Sequence, residues 1–276
     1  MKKTPSSTQI LSLMINAAEE SAKIIRANFR QSDQYQDKSS HLDIVTATDL
    51  ASQNSIHDIL TSGMIKLGIN ESDIGFIEEE CKTDLVKHHT IIVDPIDGTT
   101  NFASGIPFSC ISIGYAVDRN MQLGVVLEPF SKTLYWGEVG QGSFVRDILR
   151  GEQRLLTSVK PAKSWIVGAH LNALDVVAEQ FASYQKIYPH VRGMRNIGSL
   201  TLDLCFMADN VIDAVLNQGC YVWDLAAVSV ILHEAGGALY DYQGIPLQFD
   251  WTESKKKYQV IACHPEIKED LLKLMQ

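Results

Sequence analysis

Asp94 and Asp97 stand three residues apart in IIVDPIDGTTNF, residues 91–102. The run TIIVD (90–94) reads as a buried strand that delivers Asp94 to its C-terminal end. Pro95 cannot donate to a strand ladder, so the ladder is expected to stop there. Gly98 permits a tight turn and close approach of a ligand to the backbone. Thr99, Thr100 and Asn101 suit the beginning of a helix. Two carboxylates then face the N–H groups of a turn or helix start. Clustered acids repel unless a cation or a shared proton relieves them, and N–H groups at a helix start bind phosphate. Carboxylates beside phosphate suit Mg2+, which prefers hard oxygen ligands. The plainer role, a pair of acids capping the next helix, fits an isolated Asp-Gly better than this whole run after a strand.

The spacing also sets a rival aside. Aspartyl-nucleophile phosphatases of the haloacid dehalogenase class carry D-x-D-G-T, with the acids two apart. Here Pro95 occupies the position two before Asp97, so no covalent aspartyl-phosphate is expected. Upstream, FIEEE (76–80) is either a solvated acidic face or the source of one more metal ligand. Downstream, Asp224 precedes the apolar run LAAVSVILHEAGG, where its plain role is an N-cap. The eight histidines show no metal-ligand spacing beyond the adjacent pair His88 and His89, and Lys255–Lys257 reads as a charged loop.

These residues need elements to hold them. Ile10, Met14, Ala17, Ser21 and Ile25 form one helical stripe, followed by a polar loop from Gln31 to Ser40. A second helix begins near Thr48 or Asp49, one of which is expected to cap it. Short β-rich runs follow at 90–94, 110–117, 123–129, 133–139 and about 143–145. Beyond Leu156 the pattern alternates: strand, two helices, strand, helix, two strands and a closing helix. Two helices followed by strands, then alternation, is an α+β pattern. Residues 1–276 are expected to form one domain, with an α+β half to about 155 and an α/β half from about 156.

A chain of 276 residues with 45% apolar and 21% charged residues is an ordinary globular composition. Its net charge of −9 disfavours nucleic acid and anionic membrane surfaces. An anionic substrate would therefore need local positive charge, which a bound cation supplies. Five cysteines without a C-x-x-C pair argue against disulfides and structural zinc. Reduced thiols, no signal-peptide core and no membrane span point to the cytoplasm.

Asp94–Phe102 meets the motif D-P-[IL]-D-G-T-x-N-[FY], and Trp223–Ala226 with Glu234–Gly237 meets W-D-x-[AG]…E-A-G-G. With IVTATD (44–49) and Glu78–Glu80, these runs resemble the inositol monophosphatase family of Mg2+-dependent, lithium-sensitive phosphatases over nearly the whole chain. The resemblance implies a layered αβαβα sandwich of the inositol monophosphatase and fructose-1,6-bisphosphatase type. It implies two or three Mg2+ ions per site. Glu79, Asp94 and the Ile96 carbonyl would hold the first, and Asp94, Asp97 and Asp224 the second. Thr99 and Glu79 would orient the attacking water, with Asp49 helping to activate it. Gly98 and Thr99 N–H groups would hold the phosphate; Gly198, Ser199, Asn217 and Asp224 would line the substrate. The implied reaction is hydrolysis of a small phosphorylated polyol, foremost inositol 1-phosphate, by in-line displacement. A homodimer is also implied. Asn217 departs from the Glu common in inositol-specific relatives, which keeps histidinol phosphate, a sugar bisphosphate and 3′-phosphoadenosine 5′-phosphate open as substrates. A regulatory or binding protein on the same fold is the alternative of another class, although every acid position is filled.

Overall fold

The computed structural model describes residues 5–31, 35–40, 43–81, 85–171 and 176–276. The first layer is a helix pair, α1 (Ser7–Asn28) and α2 (Ala47–Lys66). Ser6 caps α1 by accepting from the Gln9 N–H, and the stripe Ile10, Met14, Ala17, Ser21 and Ile25 is buried as its spacing requires. Between them, β1 (Gln36–Ser40) and β2 (Asp43–Val45) pair antiparallel, and β1 lies in the stretch expected as a polar loop. Their sequences carry almost no apolar alternation, so the signal for a strand is missing.

The helix pair covers one face of a seven-stranded sheet. Its strands run in chain order: β3 (Ile74–Glu78), β4 (His89–Asp97), β5 (Cys110–Val117), β6 (Asn120–Glu128), β7 (Thr133–Glu138), β8 (Gly142–Asp147) and β9 (Gly151–Arg154). Only β3 and β4 pair parallel. Alternation divides β4 between two cores. Ile91 and Val93 pack with α1 and α2, whereas Ile92 packs on the other face. A short helix, α3 (Thr99–Ala103), leaves the end of β4.

On that second face lie α5 (Leu200–Ala208) and α6 (Val222–Glu234). Beyond them is a five-stranded sheet in the order β11-β10-β12-β14-β13, built from β10 (Ile166–Ala169), β11 (Gly193–Arg195), β12 (Ala214–Cys220), β13 (Ala238–Tyr240) and β14 (Tyr258–Cys263). Outer helices α4 (Val177–Ile187) and α7 (Lys268–Met275) pack together and send Tyr184, Ile187 and Leu271 into the same core. The layers are therefore αβαβα. Strands β9 and β11 were not anticipated: β9 (GEQR) is exposed at every residue, and β11 is three residues at a sheet edge.

Three glycines set how closely α6 approaches the large sheet. Gly114, Gly124 and Gly137 are cross-strand partners on β5, β6 and β7. A Cβ on Gly124 would lie 2.0 Å from the Ala227 carbonyl oxygen; one on Gly137 would lie 2.9 Å from Ile231 Cα, and one on Gly114 2.9 Å from Ala226 Cβ. The aligned glycines form a trench of bare backbone in which α6 rests. A Gly124→Ala substitution is expected to cost about 1–3 kcal/mol by forcing helix and sheet apart. Chemical denaturation measures this, and an unchanged midpoint would refute so close an approach.

Candidate metal centre

Asp94 and Asp97 cannot share a face of a regular strand, because three is an odd number of residues. The pairing with β5 resolves this. Asp94 is opposite Ser112 and Asp97 opposite Cys110, so three steps on β4 match two on β5. This is a bulge at Pro95 and Ile96. The ladder thus resumes after Pro95 rather than ending at it, because the bulge absorbs the missing donor. Both carboxylates end on the face covered by α5 and α6, while Ile96 turns into the opposite core. The Ile96 N–H donates to Asp94 Oδ1 at 3.0 Å and fixes the carboxylate across the bulge.

Asp224 arrives from α6. It is the third residue of that helix rather than its cap, and its Oδ2 accepts from the Tyr221 N–H at 2.6 Å. One carboxylate oxygen from each of Asp94, Asp97 and Asp224 lies within 4.8 Å of the others. Glu79 is outside that triplet, yet its charge adds to the negative field at Asp94. Asp97 is held from α5: Oδ2 accepts from Ser199 Oγ at 2.7 Å and from the Thr201 N–H at 2.6 Å.

These acids strain against one another. Burial, then the charges of Glu79, Asp97 and Asp224, push the Asp94 carboxyl well above the usual range. Burial and the neighbouring Asp97 do the same to Asp224. Burial raises Glu79, with Lys38 opposing. The Lys38 ammonium lies 2.7 Å from Glu79 Oε1 and also bonds Glu80. Burial and the Glu79 charge raise Glu80 to about 7. One ammonium among five acids leaves a large negative surplus. An all-oxygen donor set in which Asp94, Asp224 and Glu79 have raised proton affinities fits hard divalent ions, which would replace the protons.

The three consecutive glutamates go separate ways. Glu78 takes the exposed ring of His57 at 3.1 Å, whereas Glu79 and Glu80 share Lys38. Asp49, buried on α2, accepts from the Thr46 N–H at 2.9 Å and from the Thr46 hydroxyl. Thr46, not Thr48 or Asp49, is the cap, and Asp49 is its capping-box partner. Burial raises Asp49 against the hydrogen bonds of Thr46 and Thr99. Thr99 Oγ1 lies 3.0 Å from both Asp49 Oδ1 and the Ile96 carbonyl, and donates to one or the other. Asp49 and Thr99 thus meet beside the acid triplet.

Gly98 caps α3 at φ +93°, a conformation that L side chains rarely adopt. A Cβ there would also lie 2.9 Å from the Phe108 carbonyl oxygen. Asn101 Nδ2 donates to the Phe108 and Ile197 carbonyls at 2.7 Å each, tying α3 to the loop that carries Gly198. Ser199 is buried, with its hydroxyl on Asp97 and on the Leu202 N–H as the cap of α5. Asn217 is buried too; its Oδ1 accepts from the Gly219 N–H, and its Nδ2 has no hydrogen-bond partner among the described residues. Lys38, Thr46 and Thr201 escaped sequence reasoning, which marks Asn101 only as a helix-entry residue. Thr201 acts through its backbone, which no side-chain pattern reveals, but Thr46 followed by Asp49 is a capping-box signature.

Comparison with known proteins agrees with this geometry. The sequence model of the inositol monophosphatase family matches residues 6–276. Inositol monophosphatase 1 of Sus scrofa is 31% identical over 240 residues, covering 84% of this chain and 83% of its own. Inositol monophosphatase 1 of Solanum lycopersicum is 30% identical over 285 residues, covering 100% and 98%. Among solved structures, the extragenic suppressor protein suhB of Bartonella henselae superposes with a TM-score of 0.84 at 25% identity over 97% and 98% of the two chains. An IMPase of Thermotoga maritima shares the fold, with a TM-score of 0.81 at 23% identity over 96% of each chain. The acid triplet therefore lies in a chain that belongs to the inositol monophosphatase family of phosphatases.

Proposed function

We propose that the protein is a Mg2+-dependent phosphomonoesterase that hydrolyses a small phosphorylated polyol, with inositol 1-phosphate the first candidate. The observation that carries this is the convergence of Asp94, Asp97 and Asp224 beside the Thr99–Asp49 pair. Asp94, Asp97, Asp224, Glu79 and the Ile96 carbonyl would hold two or three Mg2+ ions. When bound, such ions neutralise the phosphate, acidify water and clamp the reacting oxygens.

The remaining work belongs to the chain. When Thr99 donates its hydroxyl hydrogen to Asp49, its lone pairs stay available to accept from the attacking water. Glu79 accepts the water's other hydrogen, so the nucleophile is aimed with an oxygen lone pair towards phosphorus. Burial raises the proton affinity of Asp49 and suits it to draw charge through Thr99. Backbone N–H groups of Gly98 and Thr99 cradle the phosphate oxygens. The Asp94–Pro95–Ile96–Asp97 spacing leaves no aspartyl nucleophile in the role known from D-x-D-G-T enzymes, so displacement is direct and in line.

Gly198 stands at the substrate rim, beside the Asn101 tie. Ser199 supports the site through Asp97. Asn217 offers an amide donor in place of a carboxylate, which favours substrates recognised by neutral hydrogen bonding. A homodimer in the cytoplasm completes the proposal. No described helix is long and apolar enough to cross a membrane.

Phosphate release should be measured with Mg2+ over inositol 1-phosphate, histidinol phosphate, fructose 1,6-bisphosphate and 3′-phosphoadenosine 5′-phosphate, with and without Li+. Turnover of inositol 1-phosphate, suppressed by Li+, is expected. Activity confined to another of the four would move the substrate assignment, and no activity on any would favour a binding role. In Asp94→Asn, turnover should fall by roughly 10²–10³-fold or more.

The same substitution should not unfold the protein. A carboxyl whose pKa is raised on folding binds more protons in the native state. Stability it contributes is therefore present at low pH and falls as pH rises from the ordinary aspartate range towards the raised value. Asn keeps the acceptor for the Ile96 N–H but carries no charge. In EDTA, Asp94→Asn should melt at or above the wild-type temperature, with a margin that widens as pH rises. Thermal melts over a pH series check this, and a variant that melts lower at every pH would refute the repulsion.

A further inference from the structure

Across α1 from the α2 interface lies a cleft of about 230 Å3 between α1 and the β6–β7 end of the large sheet. Its lining is Glu19, Ala22, Lys23, Arg26, Leu127, Lys132, Leu134 and Arg146. Four cationic side chains from α1, the β6–β7 turn and β8 converge there, in a chain whose net charge is −9. Two of them are balanced: Lys23 pairs with Glu20 at 2.6 Å and Arg146 with Glu19 at 3.3 Å. The other two are not. Arg26 donates Nη1 to the neutral Pro129 carbonyl at 2.9 Å, and Lys132 has no ion pair among the described residues. The nearby Glu128 turns its two oxygens to the Phe130 and Ser131 N–H groups and so shapes the turn that presents Lys132.

We propose that this cleft is a second anion site, separate from the metal centre, for a small dianionic phosphate or phosphonate bearing a short apolar part. The Pro129 carbonyl fixes the Arg26 guanidinium on one side and leaves its other donors for a forked contact with an oxyanion. Lys132 supplies a point charge from the opposite wall, where Arg146 is paired with Glu19. The floor is apolar: Ala22, Leu127 and Leu134 are all buried, and they would cover a carbon group. The volume admits more than a bare phosphate and less than a drug-sized ligand. The acids of the metal centre repel anions when no metal is bound, so in EDTA this cleft is the favoured place for one.

Phenylphosphonate is a suitable probe because it has no ester bond to hydrolyse. Titration calorimetry on the whole protein in EDTA, at mildly alkaline pH, should show binding that weakens as salt is added. Lys132→Gln lies on an exposed turn and should fold normally; it should weaken binding about tenfold, as loss of a charge-assisted contact does. Arg26→Gln with Lys132→Gln should remove it. Lys38→Gln, which alters the cation beside Glu79, should leave binding unchanged. Methylphosphonate should bind less tightly than phenylphosphonate. Absence of binding, indifference to Lys132→Gln, or dependence on Lys38 would overturn the proposal.

Discussion

Mutual repulsion among clustered carboxylates is the constraint around which this molecule is organised. Asp94, Asp97, Asp224, Glu79 and Asp49 would separate if side chains alone decided. Backbone groups hold four of them in place. Asp94 accepts from Ile96, Asp97 from Thr201, Asp224 from Tyr221 and Asp49 from Thr46, each by an N–H fixed in a bulge or a helix start. In Asp94, Asp97 and Asp224 the contact occupies one carboxylate oxygen and leaves another for a cation, whereas the second oxygen of Asp49 meets Thr99. The scaffold thus sets the price of a cation-free site high and makes cation binding the relief.

The distant elements follow from that need. The Pro95 bulge puts two acids on one face, and the glycine trench lets α6 bring a third close to them. Glu234, at the other end of α6, accepts from the Gly140 and Gly142 N–H groups at 2.8 Å each. Both ends of α6 are therefore fastened, one to the metal centre and one to the β7–β8 turn. On the opposite face, Ser52 Oγ bonds Ser21 and donates to the Pro95 carbonyl at 3.1 Å, so the helix pair braces the bulge from behind.

Much of this was legible in the sequence, for physical reasons that differ by residue. The α1 stripe and the strands β4 to β8 carry strong periodicity, and the acids sit in long motifs. The bulge was not legible, because Pro95 signals a break equally well whether the ladder ends or resumes. Nor was the trench: Gly114, Gly124 and Gly137 are scattered in sequence and align only through strand register. Ser199 was expected against substrate but is turned to Asp97, a choice made by α5 docking rather than by residue type. The polar strands β1 and β9 carry no apolar alternation and show themselves only through pairing.

Lys38 shows how the polar hairpin joins the rest. Its ammonium meets Glu79 and Glu80, and these contacts raise its own proton affinity although burial lowers it. It supplies one unit of the positive charge that the acids demand. A divalent ion supplies two, and on the ligation proposed above it would draw on the same Glu79 oxygens. On that ligation, cation occupancy and the Lys38 contact would be linked equilibria, each weakening the other to the same degree. Lys38 thus ties the hairpin to the acids that follow β3, while Ile44 of β2 is buried.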